Sequence, residues 1–300
     1  MKVKTTFLGT STAIPTKTRN HPAMLISFLN ENILVDCGEG TQRQFQKAKI
    51  NSCKLTRILI THWHADHIAG LPTLLETLAM SEYSKTLYIY GPKGTKQKFK
   101  ALEAIYGRIR INHKIKEVSG QFFKNNDFVL EATPMQHGIA ANAYSITLKD
   151  KTRLDKNKLK KLKLPNSSVL KKLQEGKDIT HNKKKIKAKD VTYTEPGKKI
   201  TVILDTKFNQ KAITLAKDSD LLITEASFLA NSKKGKEKAK LYKHLTAKQA
   251  AIIAKRSKSK KLALIHISRR YEKSLSKIEK EAKATFKHTI IPDDLDKMEI

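Results

Sequence analysis

Four residues able to bind a metal or move a proton fall within six positions of this chain: His62, His64, Asp66 and His67, in the stretch THWHADH (61–67). They follow the apolar run RILI (57–60), where the chain should be leaving a buried strand. His62 and His64 alternate by two, so an extended segment projects both to one side. Asp66 and His67 then begin the turn into the next helix. A lone HxH is a weak signal. Four donors together at a strand end have no ready structural task, whereas imidazole nitrogens and carboxylate oxygens on short rigid loops make metal sites. Three further donors share that position: His137 follows a strand at 128–133 through PMQ, Asp205 closes KITVIL, and His266 ends KLALI. Carboxyl ends of strands are where open α/β sheets build their sites. Five His and two Asp suffice for two metal ions with one carboxylate between them. The His-rich donor set makes zinc the first expectation and manganese the second.

Those loops need a rigid frame, and the chain supplies β-branched runs alternating with helical stretches. VKTTFLG (3–9), AMLISFL (23–29), NILVDCG (32–38), TRILIT (56–61) and TLYIYGP (86–92) read as strands. So do FVLEATPM (128–135), NAYSITLK (142–149), KITVILDT (199–206), DLLITEAS (220–227) and KLALIHIS (261–268). Helices are expected at 40–50, at 70–82 with Pro72 in its first turn, and at 246–257 with Thr246 as N-cap. Many strands interleaved with helices indicate an α/β layered domain. Three hundred residues allow one large domain with an ample core.

The formal net charge is +32, from 60 Lys and Arg against 28 Asp and Glu. Such a field favours polyanions, because each neutralised phosphate releases counterions. A lysine-biased proteome would produce the same excess, so the placement of the charge has to decide. Residues 149–189 hold sixteen Lys or Arg, four Asp or Glu and a single Gly, between two core strands. This stretch is either a solvated insertion or an electropositive arm for a long polyanion. No apolar run approaches the roughly 18–20 residues of a membrane span, and two cysteines, Cys37 and Cys53, are too few for a disulfide framework. The expectation is a cytoplasmic protein without a membrane segment.

THWHADHIAGL resembles the signature of the metallo-β-lactamase superfamily, and four other stretches narrow the resemblance to the tRNase Z (ribonuclease Z) family of tRNA 3′-processing endoribonucleases. They are FLGTSTAIPTKTRNHPAMLI (7–26), ILVDCGEGTQRQ (33–44), TEASF (224–228) and HLTAKQAA (244–251). The resemblance implies a four-layered αββα sandwich (the metallo-β-lactamase fold) as a single domain over 1–300, with an inserted basic arm at 149–192 that binds tRNA. It implies two zinc ions per subunit, one held by His62, His64 and His137, the other by Asp66, His67 and His266, with Asp205 bridging. It also implies that Asp66 takes a proton from the attacking water, that His244 protonates the departing ribose oxygen, and that Glu225 orients His244. Asp36 would brace the histidine loop. Lys17, Arg19 and Asn20, in PTKTRN (15–20), would meet substrate phosphates, as would Lys160, Lys161, Lys163, Lys171 and Lys172 in the arm. Precursor tRNA is the implied partner, and a homodimer the implied assembly. Two departures stand out: the family's HEAT motif reads TEAS here, so Thr224 replaces a histidine, and the arm's GxPxGP motif keeps only Pro165.

A small-molecule metallohydrolase or phosphodiesterase of the same fold is the alternative; the basic arm and PTKTRN count against it, since a small substrate needs neither. An RNA-binding scaffold on an inactive hydrolase fold is a third reading, and the complete donor set counts against that. Trp63, between two of the histidines, is expected to pack inward.

Overall fold

The computed structural model describes residues 1–162, 164, 168–181 and 184–300. The chain begins with β1 (Lys4–Gly9), β2 (Ala23–Phe28), β3 (Glu31–Val35), β4 (Arg57–Leu59), β5 (Leu87–Gly91) and β6 (His113–Glu117). Next come β7 (Gly120–Lys124), β8 (Phe128–Met135) and β9 (Ala141–Leu148), then four short strands: β10 (Lys151–Leu154), β11 (Ile179–His181), β12 (Lys184–Ile186) and β13 (Thr192–Glu195). The last are β14 (Lys199–Ile203), β15 (Leu221–Glu225), β16 (Leu262–Ile265), β17 (Thr289–Ile290) and β18 (Lys297–Glu299). Two seven-stranded sheets result, ordered β18-β1-β2-β3-β4-β5-β6 and β17-β16-β15-β14-β9-β8-β7.

Each sheet is antiparallel on one side and parallel on the other. β3 to β6 run parallel, as do β14 to β17. Parallel neighbours need crossovers. Helices Thr41–Lys47, Leu71–Met80 and Thr95–Tyr106 provide them in the first sheet, and Gln210–Leu215, Ala247–Arg256 and Leu275–Lys283 in the second.

The alternation of side chains along a strand builds the layers. In β2, Met24, Ile26 and Phe28 enter a core shared with Phe128, Leu130, Tyr144 and Val202 of the other sheet. Ala23 and Leu25 point the opposite way, into a core with Phe45, Leu74 and Phe99 from the covering helices. In β15, Leu221 and Ile223 face the first sheet, and Leu222 packs under helices with Ala250 and Ile278. Helix, sheet, sheet, helix is the expected αββα order. Burial of each such Leu or Ile stabilises by about 1.5–3 kcal/mol. The expected strands and helices all form, most of them a residue or two shorter at their ends. Thr246 does cap its helix, in a capping box with Gln249.

The described residues of 149–192 form short elements around a core of their own. β10 pairs with β13 and β11 with β12. Helices Lys156–Lys161 and Ser168–Gln174 pack with them around a small core of Leu159, Leu173, Ile179, Ile186, Ala188 and Val191. Lys160, Lys161, Lys171 and Lys172 are exposed on these helices. Lys163 and Pro165 lie outside the described residues. Among the described residues, no helix is long and apolar enough to cross a membrane.

Candidate metal centre

The parallel half of each sheet ends in loops on the same side, and the candidate ligands sit there. Asp36 follows β3, His62 to His67 follow β4, Asp205 follows β14, Glu225 ends β15 and His266 follows β16. His137 comes from the turn between β8 and β9. The sheets are stitched together at this point: Tyr144 donates its hydroxyl to the Ile60 carbonyl at 2.7 Å, the Asn142 N–H bonds the Thr61 carbonyl at 2.8 Å, and His62 bridges to Ala141.

All seven expected ligands converge. His62 Nε2 and His137 Nε2 lie 2.9 and 3.2 Å from His64 Nδ1. Asp205 Oδ2 is 3.5 Å from His62 Nε2, 3.7 Å from His137 Nε2 and 3.7 Å from His67 Nε2. Its other oxygen is 3.4 Å from His266 Nε2. Asp66 Oδ2 lies 3.3 Å from His67 Nε2 and 3.4 Å from His266 Nε2. Donor atoms of His62, His64, His137 and Asp205 make one group that could hold an ion, and those of Asp66, His67 and His266 another. Asp205 stands between the two.

Neighbouring groups fix the histidine tautomers. Asp36 accepts from the Thr61 N–H, the Thr61 hydroxyl and His67 Nδ1, each at 2.7 Å. A carboxylate only accepts, so His67 carries a proton on Nδ1. The Thr61 hydroxyl, having given its hydrogen to Asp36, accepts from His62 Nδ1 at 3.1 Å. His137 Nδ1 donates to the Lys243 carbonyl at 3.3 Å. Ser227 donates to Glu225 at 2.7 Å or to the His266 carbonyl at 2.8 Å, so towards His266 Nδ1, at 3.0 Å, it only accepts. Four rings thus turn Nε2 towards the centre, the arrangement metal-ligating histidines usually have.

The residues fit a cation pair. His67 Nε2 and Asp205 Oδ1 are buried without a hydrogen-bond partner among the described residues. The groups within ion-pair distance of Asp66 and Asp205 are all histidines, with no Lys or Arg among the described residues. Two carboxylates buried this way carry a desolvation cost that a divalent cation offsets. Burial alone would raise their pKa values, but His266 and His67 outweigh it and hold both well below the usual carboxylate range. Burial pushes the pKa values of His62, His64 and His137 down, keeping them neutral. For His67 burial is outweighed by Asp205 and Asp36, and its pKa rises well above 6.5. Asp36, Asp205 and His266 all have positive φ, 56°, 42° and 53°. Such geometry costs about 1–3 kcal/mol per residue and gathers at functional sites.

At the edge of the centre, His244 Nδ1 donates to Glu225 at 2.8 Å. Glu225 is fully buried and also accepts from the Thr206 N–H at 2.7 Å. Burial would lower the His244 pKa, but Glu225 and Asp205 raise it to about 9. The ring is therefore an imidazolium at neutral pH.

Known proteins share this frame. Residues 3–182 match the family model described as Anti-Pycsar protein Apyc1, a span that ends before Asp205, Glu225, His244 and His266. Over almost its whole length the chain is 37% identical to Ribonuclease Z of Nanoarchaeum equitans, covering 97% of this chain and 92% of that relative. Ribonuclease Z of Protochlamydia amoebophila is 36% identical, over 97% of this chain and 94% of the relative. The chain belongs to the ribonuclease Z family. The crystal structure of human tRNase Z, short form, superposes with a TM-score of 0.69 at 25% identity, over 99% of this chain and 98% of that one.

Of the other residues that the ribonuclease Z resemblance singled out, Lys17 is exposed and Asn20 is half-buried. Arg19 departs from expectation. It is 5% exposed, and its guanidinium donates to Thr10 at 2.7 Å, to the Pro292 carbonyl at 2.8 Å and to Asp293. It anchors its loop to the C-terminal segment, with three of its five N–H donors engaged by these acceptors. Asn20 donates its side-chain amide to the Glu39 carbonyl. Trp63 packs inward as expected, donating to Thr95 at 3.0 Å. Thr61, Ser227 and Lys243 were not singled out. Ser227 had a signal, two residues after Glu225 in TEASF, while the Lys243 contact is made by a backbone carbonyl and leaves none.

Proposed function

We infer that this chain is an endoribonuclease that removes the 3′ trailer from precursor tRNA by hydrolysing the phosphodiester after the discriminator nucleotide. The observation that carries the reading is the seven-donor centre with the His244–Glu225 pair at its edge, in a chain that aligns end to end with ribonucleases Z. His62, His64 and His137 would hold one cation, Asp66, His67 and His266 a second, and Asp205 both. The donor set favours zinc over manganese. Bound there, the pair supplies positive charge that polarises the scissile phosphate and acidifies the attacking water.

The chain's own groups then move the protons. Asp66, ionised at any working pH, accepts the proton of the attacking water. His244 keeps Nδ1–H on Glu225 and offers Nε2–H to the departing 3′ oxygen, so the product ends in a 3′-hydroxyl. Glu225, fixed by Thr206 and Ser227, sets the ring's direction and sustains its charge. The exposed lysines of the arm and Lys17 are suited to phosphate contacts that read shape rather than sequence. Arg19 and Asn20 would act by holding the Lys17 loop. The family resemblance supports a homodimer, and two unpaired cysteines suit a cytoplasmic setting.

The test is a tRNA precursor with a 3′ trailer, incubated with the metal-loaded protein, with and without chelator. Cleavage to a 3′-hydroxyl is expected, lost with chelator and with His64→Ala. An intact trailer despite bound metal would refute the reading.

A further inference from the structure

Beside His244 opens a cavity of about 520 Å³, within the ~300–1,000 Å³ of ordinary ligand pockets. Its rim carries Lys207, Lys236, Lys240 and Lys248, and its wall includes Phe208 and Ile252. Lys207 is held at the mouth by its backbone N–H, which bonds the Gln136 carbonyl at 2.9 Å, next to the His137 turn. Gln249 also lines the cavity. Its side-chain oxygen closes the capping box with Thr246, while its amide nitrogen makes no hydrogen bond among the described residues. An aromatic face, an aliphatic wall, one amide donor and a lysine rim match a base, its edge and its phosphate.

A second cavity of about 730 Å³ shares Lys248 in its lining and adds Lys277 and Lys280. Glu281, also in that wall, is already engaged: it accepts from the backbone N–H groups of Ala230, Asn231 and Lys248 at 2.8, 2.8 and 3.1 Å. Lys248 thus stands between the cavity beside His244 and a second lysine-bearing one.

Bond polarity decides which part of an RNA belongs there. In the proposed hydrolysis, water oxygen forms a bond to phosphorus and the P–O3′ bond breaks. His244 Nε2 gives its proton to O3′, and the trailer leaves with the phosphate. O3′ belongs to the last nucleotide of the mature tRNA, so the nucleotide against His244 lies upstream of the cut. Resting on the trailer-removal reading, we propose that this cavity holds the discriminator nucleotide, its base against Phe208. Lys248, Lys277 and Lys280 then carry phosphates of the acceptor strand that leads to it.

Two ligands separate the sides of the cut: a trailer-less tRNA ending at the discriminator 3′-hydroxyl, and a 5′-phosphorylated trailer oligonucleotide, both used as inhibitors of precursor cleavage. A counterion-release exponent of ~0.7–0.9 makes each phosphate contact worth about four- to fivefold in affinity at ~0.15 M salt. Lys248→Ala/Lys277→Ala should raise the Ki of trailer-less tRNA by about twentyfold and flatten its salt dependence, and leave the oligonucleotide within twofold. Lys248→Arg/Lys277→Arg should restore it. Phe208→Ala should weaken a trailer-less tRNA more than one lacking the discriminator nucleotide. An unchanged Ki for trailer-less tRNA, or losses confined to the oligonucleotide, would overturn the proposal. A metal-loaded wild type that leaves the precursor uncut defeats the trailer-removal reading itself, which is a different result.

Discussion

Replacing Asp36 by Asn tests whether the metal centre depends on a histidine tautomer set one layer behind it. The change keeps the shape, and Asn tolerates the φ of 56° at this position as well as Asp does. Only the acceptors differ. With the amide oxygen kept towards the Thr61 N–H, the new NH₂ meets the Thr61 hydroxyl and His67 Nδ1, both of which now donate to Asp36. His67 can then satisfy the NH₂ only by moving its proton to Nε2, the atom turned towards the centre. Losing such an orienting partner costs about 10–100-fold in metal affinity, or ~1.4–2.8 kcal/mol at ~1.4 kcal/mol per decade. The flipped amide spares His67 but sets NH₂ against the buried Thr61 N–H, an unsatisfied contact worth about 1–3 kcal/mol of stability. The two costs are comparable, so Asp36→Asn should lose metal affinity, folding stability, or part of each. Chelator competition reads the first and thermal melting of the apo-protein the second. Metal affinity within twofold of wild type together with an unshifted melting temperature would refute the tautomer argument.

Glu225→Gln removes the charge that holds the His244 pKa up at about 9. An acid with a raised pKa is protonated below it and fails as pH climbs through it. The alkaline limb of kcat/KM should therefore move to lower pH in the variant, and an unmoved limb would exclude His244 as the acid. Leu173 is fully buried in the arm's own core, so Leu173→Asp should melt the arm by itself. Precursor cleavage should fall at least tenfold more than hydrolysis of a small phosphodiester; equal losses would make the arm a support for the fold. Arg19→Ala should cost about 1–3 kcal/mol in stability by leaving buried acceptors unsatisfied and should leave the salt slope of RNA binding unchanged. Lys17→Ala should reduce that slope by roughly 0.7–0.9.

The convergence of the candidate ligands was legible because each is a distinctive residue type near a strand end, and a strand end is a place that local sequence specifies. What the strands face could also be read, since Met24, Ile26 and Phe28 alternate with Ala23 and Leu25 whatever the tertiary partner. The arm was not legible in the same way. Its core residues, such as Leu159 and Leu173, are isolated between lysines, and their burial depends on pairing β10 with β13 across some forty residues of chain. The burial of Arg19 was hidden for a related reason. A basic residue in an exposed-looking turn after Pro15 carries no mark of the Pro292 carbonyl or of Asp293, which reach it from the far end of the sequence.

Asp66 and His266 stand 200 positions apart in sequence and 3.4 Å apart in space. The first comes from the β4 loop of one sheet and the second from the β16 loop of the other, so the centre exists only when the two sheets have closed on their shared core. Each half alone offers three or four donors and a surplus of buried charge. Closure brings Asp205 between them, and the inter-sheet bonds from Tyr144 and Asn142 fix the distance on which that bridge depends. The arm enters this construction differently, as an insertion between the neighbouring strands β9 and β14, with a core of its own. A change in its core does not pass through the register that holds the candidate ligands, because β9 and β14 pair directly beneath it. In this chain the candidate ligands are set by how the sheets meet, and the lysine-rich insertion folds around a core of its own.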